Sequence, residues 1–297
     1  MTATVSSGQI SLSIERPALY VVATPIGNLA DISYRAVKLL AQMDLLLVED
    51  KRVTQRLLQY YSITKRLVAL HEHNEADVSG DIVSSIVSDR IAVALISDAG
   101  TPLISDPGFR FVRAAHAEGI PVLSVPGPCA AIAALSIAGL PSDRFVFEGF
   151  LPARKAARLR SLNLLNVERR TLIFFEAPHR ISATLEDMRS VFGNEREVAV
   201  AREITKLHET LYRGPLRLVS EVIRRDGCAT RGEIVIILSG ARGEYMITSD
   251  DEDKAVHMIT VLCRQMPKAD AIKLVSEWTG LRRNRLYSLA HGASLKK

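Results

Sequence analysis

Between residues 19 and 125, short aliphatic runs alternate with stretches of helical periodicity, and this rhythm restricts the possible folds more than any other feature of the chain. Residues 19–23, 44–48, 91–96 and 121–125 read as strands. The third is apolar throughout, as expected of a parallel strand covered on both faces. Asp31 reads as the cap of a helix whose apolar positions are Ile32, Ala36, Leu39 and Met43. Val78, Ile82, Val83, Ile86 and Val87 form a second helical stripe. Asp106, Pro107 and Gly119 have the residue types of an N-cap, a first helical position and a stop for a third helix. Strand–helix–strand units of this kind close by right-handed crossovers into a parallel sheet.

The second half follows a different pattern. Residues 144–148, 171–175, 197–201, 208–213 and 233–238 read as strands, with helices at 180–192 and 215–225 that Gly193 and Gly227 would stop. The pair spanning 197–213 has no room for a crossover helix, so a mixed-sheet α+β arrangement is expected. Past Gly240 the chain turns acidic at Asp250, Asp251, Glu252 and Asp253, then reads as three short helices divided by Pro267 and Gly280. The organisation expected is a flexible tail (1–17), a parallel α/β N-terminal domain (18–126), a second α+β domain (127–240) and a helical appendage (241–297).

Composition narrows the class. The stretch 129–140 is the most apolar and falls short of the roughly 20 residues a membrane span needs, so it reads as a buried helix and no membrane association is expected. Residues 1–13 contain no Lys or Arg and no apolar block, unlike a secretory leader. Cys129, Cys228 and Cys263 lie far apart, which disfavours a disulfide scaffold and suits a reducing, cytoplasmic setting. The 38 Lys and Arg exceed the 33 Asp and Glu by five. The excess is concentrated in two runs: Arg154, Lys155, Arg158, Arg160, Arg169 and Arg170 against Glu168, and Lys268, Lys273, Arg282, Arg283, Arg285, Lys296 and Lys297 against Asp270 and Glu277. Two basic faces on an otherwise acidic body suit a polyanion such as nucleic acid, or are simply solvated helix faces. Trp278 and Tyr287, lying among the C-terminal arginines, read either as base-stacking rings or as small-domain core.

No Gly-x-Gly, Gly-Lys or Gly-x-Ser-x-Gly occurs, which removes the dinucleotide fingerprint, the P-loop and the nucleophile elbow. What is present is three loops at the expected C-terminal ends of strands, where open α/β sheets bind ligands. They are Thr24-Pro25-Ile26-Gly27-Asn28, the segment 97–108, and Pro126-Gly127-Pro128-Cys129-Ala130, each pairing proline with glycine. Glu49-Asp50-Lys51-Arg52 and His71-Glu72-His73-Asn74-Glu75 lie at the same edge and are candidates for acid–base work, phosphate contacts or helix capping. His71 and His73 have metal-ligand spacing but no third ligand, and no metal is expected. Ala201-Arg202-Glu203-Ile204-Thr205-Lys206 and Arg231-Gly232-Glu233 sit at strand ends of the second half.

These motifs, together with Phe147-x-Gly149-Phe150-Leu151-Pro152, resemble the bacterial 16S ribosomal RNA (cytidine-2′-O)-methyltransferases, the RNA-acting branch of the tetrapyrrole methylase superfamily. The resemblance runs from about Leu19 to His291, with Arg231 in place of a lysine and Lys51 in place of a common threonine. It implies a homodimeric, tetrapyrrole-methylase-like two-domain fold whose cleft binds S-adenosyl-L-methionine, and as substrate a cytidine in the decoding centre of 16S rRNA in the small ribosomal subunit. It also implies cofactor contacts at Pro25, Gly27, Asp98, Gly100, Thr101, Cys129, Ala130, Ala201 and Gly232. Glu49, Asp50, His73, Lys206 and Glu209 are unranked candidates for a base or for stabilising a developing oxyanion. Arg52, Arg154, Lys155, Arg158, Arg282, Arg283 and Arg285 are candidates for RNA phosphates. A small-molecule methyltransferase and a non-enzymatic RNA-binding module are the alternatives.

Overall fold

The computed structural model describes residues 13–71, 74–226, 231–241, 249–279, 281 and 283–293. They form two compact units, one reaching to Asn166 and resuming over Arg170–Gly240, the other joining Val167–Arg169 to the segment after Gly240. Of the expected features, the tail over 1–12, His73, Gly227, Gly280 and Arg282 lie outside the described residues.

In the first unit the chain runs β1 (Ala18–Val22), α1 (Tyr34–Leu40), β2 (Leu45–Val48), α2 (Lys51–Tyr60), β3 (Leu67–Ala69), α3 (Glu75–Ser88), β4 (Ala92–Ile96), α4 (Phe109–Ala117) and β5 (Val122–Val125). The sheet order is β3-β2-β4-β1-β5 and every neighbouring pair is parallel. Side chains alternate across this sheet. Tyr20, Val22, Leu46, Val48, Ala94 and Ile96 pack on one face beneath α1 and α2, while Leu19, Leu45, Leu47, Val93 and Leu95 pack on the other beneath α3 and α4. Burial on both faces explains why the central strands carry no polar alternation. The short edge strand β3 precedes the His71 cluster, as expected, while α2, whose Thr54, Leu57 and Leu58 are buried at helical spacing, was not among the expected helices.

Two expected caps are corrected. Ser33, not Asp31, caps α1: its Oγ accepts from Ala36 N at 3.1 Å, while Asp31 ends a short 3₁₀ turn capped by Asn28. Helix α4 begins at Phe109 rather than Pro107, because the preceding loop continues through Leu103 and Ser105, both at positive φ, to Gly108. Its first amides are capped from a neighbouring helix. Glu75 Oε1 accepts from Arg110 N at 2.7 Å and from Phe111 N at 3.1 Å, so Asp106 is not needed as a cap.

The unit continues with α5 (Ala130–Ala138), β6 (Phe145–Phe150), α6 (Lys155–Leu164), β7 (Thr171–Glu176), α7 (Ile181–Phe192), β8 (Glu197–Arg202), β9 (Thr210–Pro215), α8 (Leu216–Arg225) and β10 (Ile234–Leu238). These strands form a second sheet, β6-β7-β10-β8-β9, parallel only between β6 and β7, which is the expected mixed sheet. The alanine-rich face of α5 packs on one side with Ile173, Ala199 and Ile237; Leu162, Leu185, Met188 and Val219 cover the other. Helix α5 is thus buried along one face, with Ile132 and Ile137 exposed.

Helix α6 carries part of the first basic run, and it changes the reading of its arginines. Arg158 is 5% exposed and its guanidinium pairs with the equally buried Asp187 of α7 at 2.6 Å. It is therefore a packing residue and cannot meet RNA. In the second unit, α9 (Ser249–Leu262), α10 (Lys268–Thr279) and α11 (Arg283–Ala293) close around Ala255, Ile259, Ile272, Val275 and Leu286. Trp278 is 78% exposed, so the reading of it as core is corrected. Among the described residues no helix is long and apolar enough to cross a membrane.

Removing one member of a buried ion pair strands the other charge in an apolar setting. Asp187→Ala should therefore cost about 3–5 kcal/mol in urea unfolding. A cost below 1 kcal/mol would show that Arg158 reaches water.

Candidate functional site

The loops that follow β1, β4 and β5 are tied to one another by short bonds. Thr24 N donates to Gly100 O at 2.8 Å, Gly100 N returns a bond to Thr24 O at 3.1 Å, and Thr24 Oγ1 donates to Ser97 O at 3.2 Å. Thr101 Oγ1 donates to Pro128 O at 2.9 Å, adding the third loop. Together they form one wall of a cavity of about 400 Å³, and the ends of the second sheet form the other through Phe150, Phe175, Pro178, Ile204 and Val235.

Of the residues expected to touch a cofactor, Gly100, Thr101, Cys129, Ala130 and Gly232 line this cavity. At Gly232 the backbone requires glycine: φ is +85°, and a Cβ would run into the Glu203 carboxylate. Pro25 and Gly27 are not among the lining residues; Ile26 between them is, and Gly27 abuts Thr205 and Lys206. Ala201 is buried beside Ile26, Ala131 and Ala134. The Asp98 carboxylate accepts from Asp50 N at 3.0 Å and so joins two strand ends, while its neighbour Ala99 faces the cavity.

The candidate catalytic residues separate by their partners. Asp50 caps α2 and holds Arg52, and that bond keeps its carboxyl below the usual range. Glu209 accepts from Thr205 N at 2.6 Å. Burial weakens the charge on Lys206, but its 2.8 Å bond to Glu203 and the nearby Glu233 prevail and raise its pKa. Lys206 is thus a protonated cation, and its partner Glu233 lines the cavity. In the other polar cluster, Asn74 bonds His71 N and Ala69 O, and Glu75 caps α4. Among the described residues no group of three or more His, Cys, Asp or Glu could hold a metal ion.

Arg52, Arg154 and Lys155 are exposed, as are the side chains of Arg283 and Arg285, which pair with Glu277 and Glu252.

Sequence reasoning missed Asp106, Phe150, Glu176 and Glu233 as lining residues. Phe150 stood within a quoted motif, and Asp106 was misread as a cap. Burial and the negative charges of Glu49 and Asp98 push the Asp106 carboxyl up to about 6, against a hydrogen bond from Ser97. The Glu176 carboxylate is occupied by Thr184, Ala177 N and Arg180.

A parallel sheet and a mixed sheet that enclose a cavity at their strand ends define a class, and comparison with known proteins identifies it. The family described as Tetrapyrrole (Corrin/Porphyrin) Methylases matches residues 18–219, and the RsmI C-terminal HTH domain matches residues 248–294. Cobalt precorrin-4 methyltransferase shares the fold at TM-score 0.56 and 18% identity, over 75% of this chain and 95% of that one. Uroporphyrin-III C-methyltransferase from Thermus thermophilus, solved with S-adenosyl homocysteine, shares it at TM-score 0.53 and 18% identity, over 75% and 97%. The nearer relatives are ribosomal RNA small subunit methyltransferases I. That of Pseudomonas aeruginosa is 49% identical over 92% of this chain and 96% of its own; that of Vibrio cholerae is 45% identical over 91% and 93%. The chain belongs to the ribosomal RNA small subunit methyltransferase I family, within the tetrapyrrole methylases, and is a methyltransferase.

The raised pKa of Asp106 has a consequence for stability. In the folded state its proton is held up to about pH 6, against 3.8 for the ordinary carboxyl. The stabilisation this gives is complete below about pH 4 and is lost as the pH rises through about 6. Relative to Asp106→Asn, the native chain should lose melting temperature between about pH 4 and 7 and run parallel to the variant above that. A gap that stays constant across the range would refute the shift.

Proposed function

We propose that the chain methylates the ribose 2′-oxygen of a cytidine in the decoding centre of 16S rRNA, using S-adenosyl-L-methionine and acting as a cytoplasmic homodimer on the small ribosomal subunit. The reading rests above all on the cavity, taken with relatives that are small subunit ribosomal RNA methyltransferases.

The residues present fit the cofactor. Ile26, Ile104, Phe175, Ile204 and Val235 provide apolar walls for a purine and a thioether, and Thr101, Ser105, Asp106 and Glu233 provide polar groups for hydroxyls and an ammonium. Above about pH 6 Asp106 is ionised, and a carboxylate in an apolar-walled space attracts a cation strongly. S-adenosyl-L-methionine, when bound, supplies an electrophilic methyl group on a cationic sulfonium. Gly100, Thr101, Cys129, Ala130 and Gly232 would hold it, with Asp98 acting at one remove by fixing the loop that carries Ala99 and Gly100.

Most of the rate in such a transfer comes from holding two reactants in line. The rigid loop ties around Thr24, Gly100 and Thr101 serve that end. Lys206 enters as a cation rather than a base, able to stabilise charge growing on the attacking oxygen. Arg52, Arg154, Lys155, Arg283 and Arg285 would take RNA phosphates, which give affinity without sequence information.

The test uses labelled S-adenosyl-L-methionine and small subunits lacking the modification, digested to nucleosides after reaction. Label should appear in 2′-O-methylcytidine, with subunit affinity falling steeply as salt rises. If the cofactor raises the melting temperature but no label enters RNA, the substrate is a small molecule.

A further inference from the structure

We propose that Phe150 is the platform on which the base of the target nucleotide stacks, with Arg154 and Lys155 taking the flanking phosphates. The inference rests on the RNA reading above and says how the nucleotide is presented to the cavity.

Strand β6 pairs in parallel with β7, Phe147 opposite Ile173 and then Gly149 opposite Phe174, so Glu148 is the extra residue of a bulge. Under strict alternation Phe150 would share the face of Val146, which packs in the core with Leu172 and Phe174. The extra residue moves Phe150 to the face of Phe147 and Phe175 instead. Gly149 makes this possible: its φ is +63°, and a Cβ there would stand 3.2 Å from Ser105 Oγ, in the loop that lines the opposite wall. The bulge thus turns an aromatic side chain from the core to the cavity.

Phe150 lines the cavity and is nonetheless 57% exposed. Phe175 packs against it in a T-shaped contact, with centroids 5.6 Å apart and planes at 63°, and more than half of the Phe150 surface stays open to solvent. The segment that follows is held rigidly. Arg180 donates to Leu151 O at 2.6 Å and Arg158 to Ala153 O at 3.1 Å, and both guanidiniums are fixed by buried carboxylates, Glu176 and Asp187. One buried arginine, Arg158, and one half-buried, Arg180, therefore fix the backbone beside one exposed ring.

Directly after this clamp the chain presents Arg154, exposed, and Lys155, 73% exposed with its nearest carboxylate 3.8 Å away. An exposed aromatic ring followed within five residues by two solvent-facing cations suits a single-stranded nucleotide, whose base stacks and whose phosphates pair with cations. A wholly apolar ligand would have no use for the cations, and a phosphate alone none for the ring.

The test compares full-length native enzyme with Phe150→Ala, Phe150→Leu and Phe150→Trp, measuring kcat/KM for unmodified small subunits at saturating S-adenosyl-L-methionine. S-adenosyl homocysteine affinity is measured by calorimetry, alongside melting temperature. Alanine and leucine should each lower kcat/KM roughly 5- to 150-fold, the range of one base–aromatic stack. Tryptophan should retain most of the activity, and cofactor affinity and melting temperature should not move. Arg154→Ala with Lys155→Ala should reduce the salt slope by about two. Full activity in Phe150→Ala overturns the proposal. So does full activity in Phe150→Leu, which would reduce the ring to apolar bulk, or a parallel loss of homocysteine-ligand affinity, which would assign the ring to the cofactor. Failure of the native enzyme itself to methylate RNA would overturn the RNA reading and this one with it, and is told apart because it needs no substitution.

Discussion

Five parallel strands bring all their C-terminal ends to one edge, and the rest of the molecule is arranged around that constraint. The connections leaving that edge must make their turns in a small space, and their polar backbone groups need partners there. Reciprocal bonds between Thr24 and Gly100, with the Thr101 link to Pro128, meet this need by tying one loop to another. The same bonds hold the cavity wall rigid. The long loop 97–108 is free to follow the cavity because Glu75, on a different helix, caps α4 in its place.

The second sheet solves a complementary problem. It must bring side chains against those loops while burying its own two faces. Helix α5 allows this: it starts at the cavity with Cys129 and Ala130, and its alanines let the helix lie close on β7, β8 and β10. Departures from regular geometry then gather at the cavity. Glu203, Thr205 and Gly232 all take positive φ around the Lys206 ion pairs, and the β6 bulge lies across from Ser105. Such strain persists only where surrounding contacts fix it, and here Ser105 and Gly232 line the cavity itself.

How much of this could be read from the sequence follows from the range of each interaction. The parallel sheet was legible because continuous burial leaves an unbroken apolar run, as at Ala92–Ile96. The three loops were legible because proline and glycine mark turns locally. By contrast Asp106 resembles any N-cap until Glu75, 31 residues earlier, is seen to cap the helix instead. Arg158 resembles its basic neighbours until Asp187 lies beside it. Pro25 lies one residue from Ile26 and Ala201 three from Ile204, and it is the isoleucines that line the cavity. Local signals marked the segments that line the cavity, while the direction of each side chain depended on partners far off in sequence.

The division of charge follows from the same distinction. A cavity suited to a cationic cofactor needs carboxylates, and a surface that meets phosphates needs cations. With a screening length of about 8 Å at physiological salt, the two fields remain separate only if they lie apart or are neutralised between. The two arginines that hold the segment after Phe150 are neutralised: Arg180 by Glu176 and Arg158 by Asp187, each also bonding backbone carbonyls. Their charge is used up in holding the chain, while Arg154 and Lys155 remain exposed. One basic run therefore supplies both a clamp residue, Arg158, and the exposed cations, and a count of arginines overstates the charge available to RNA.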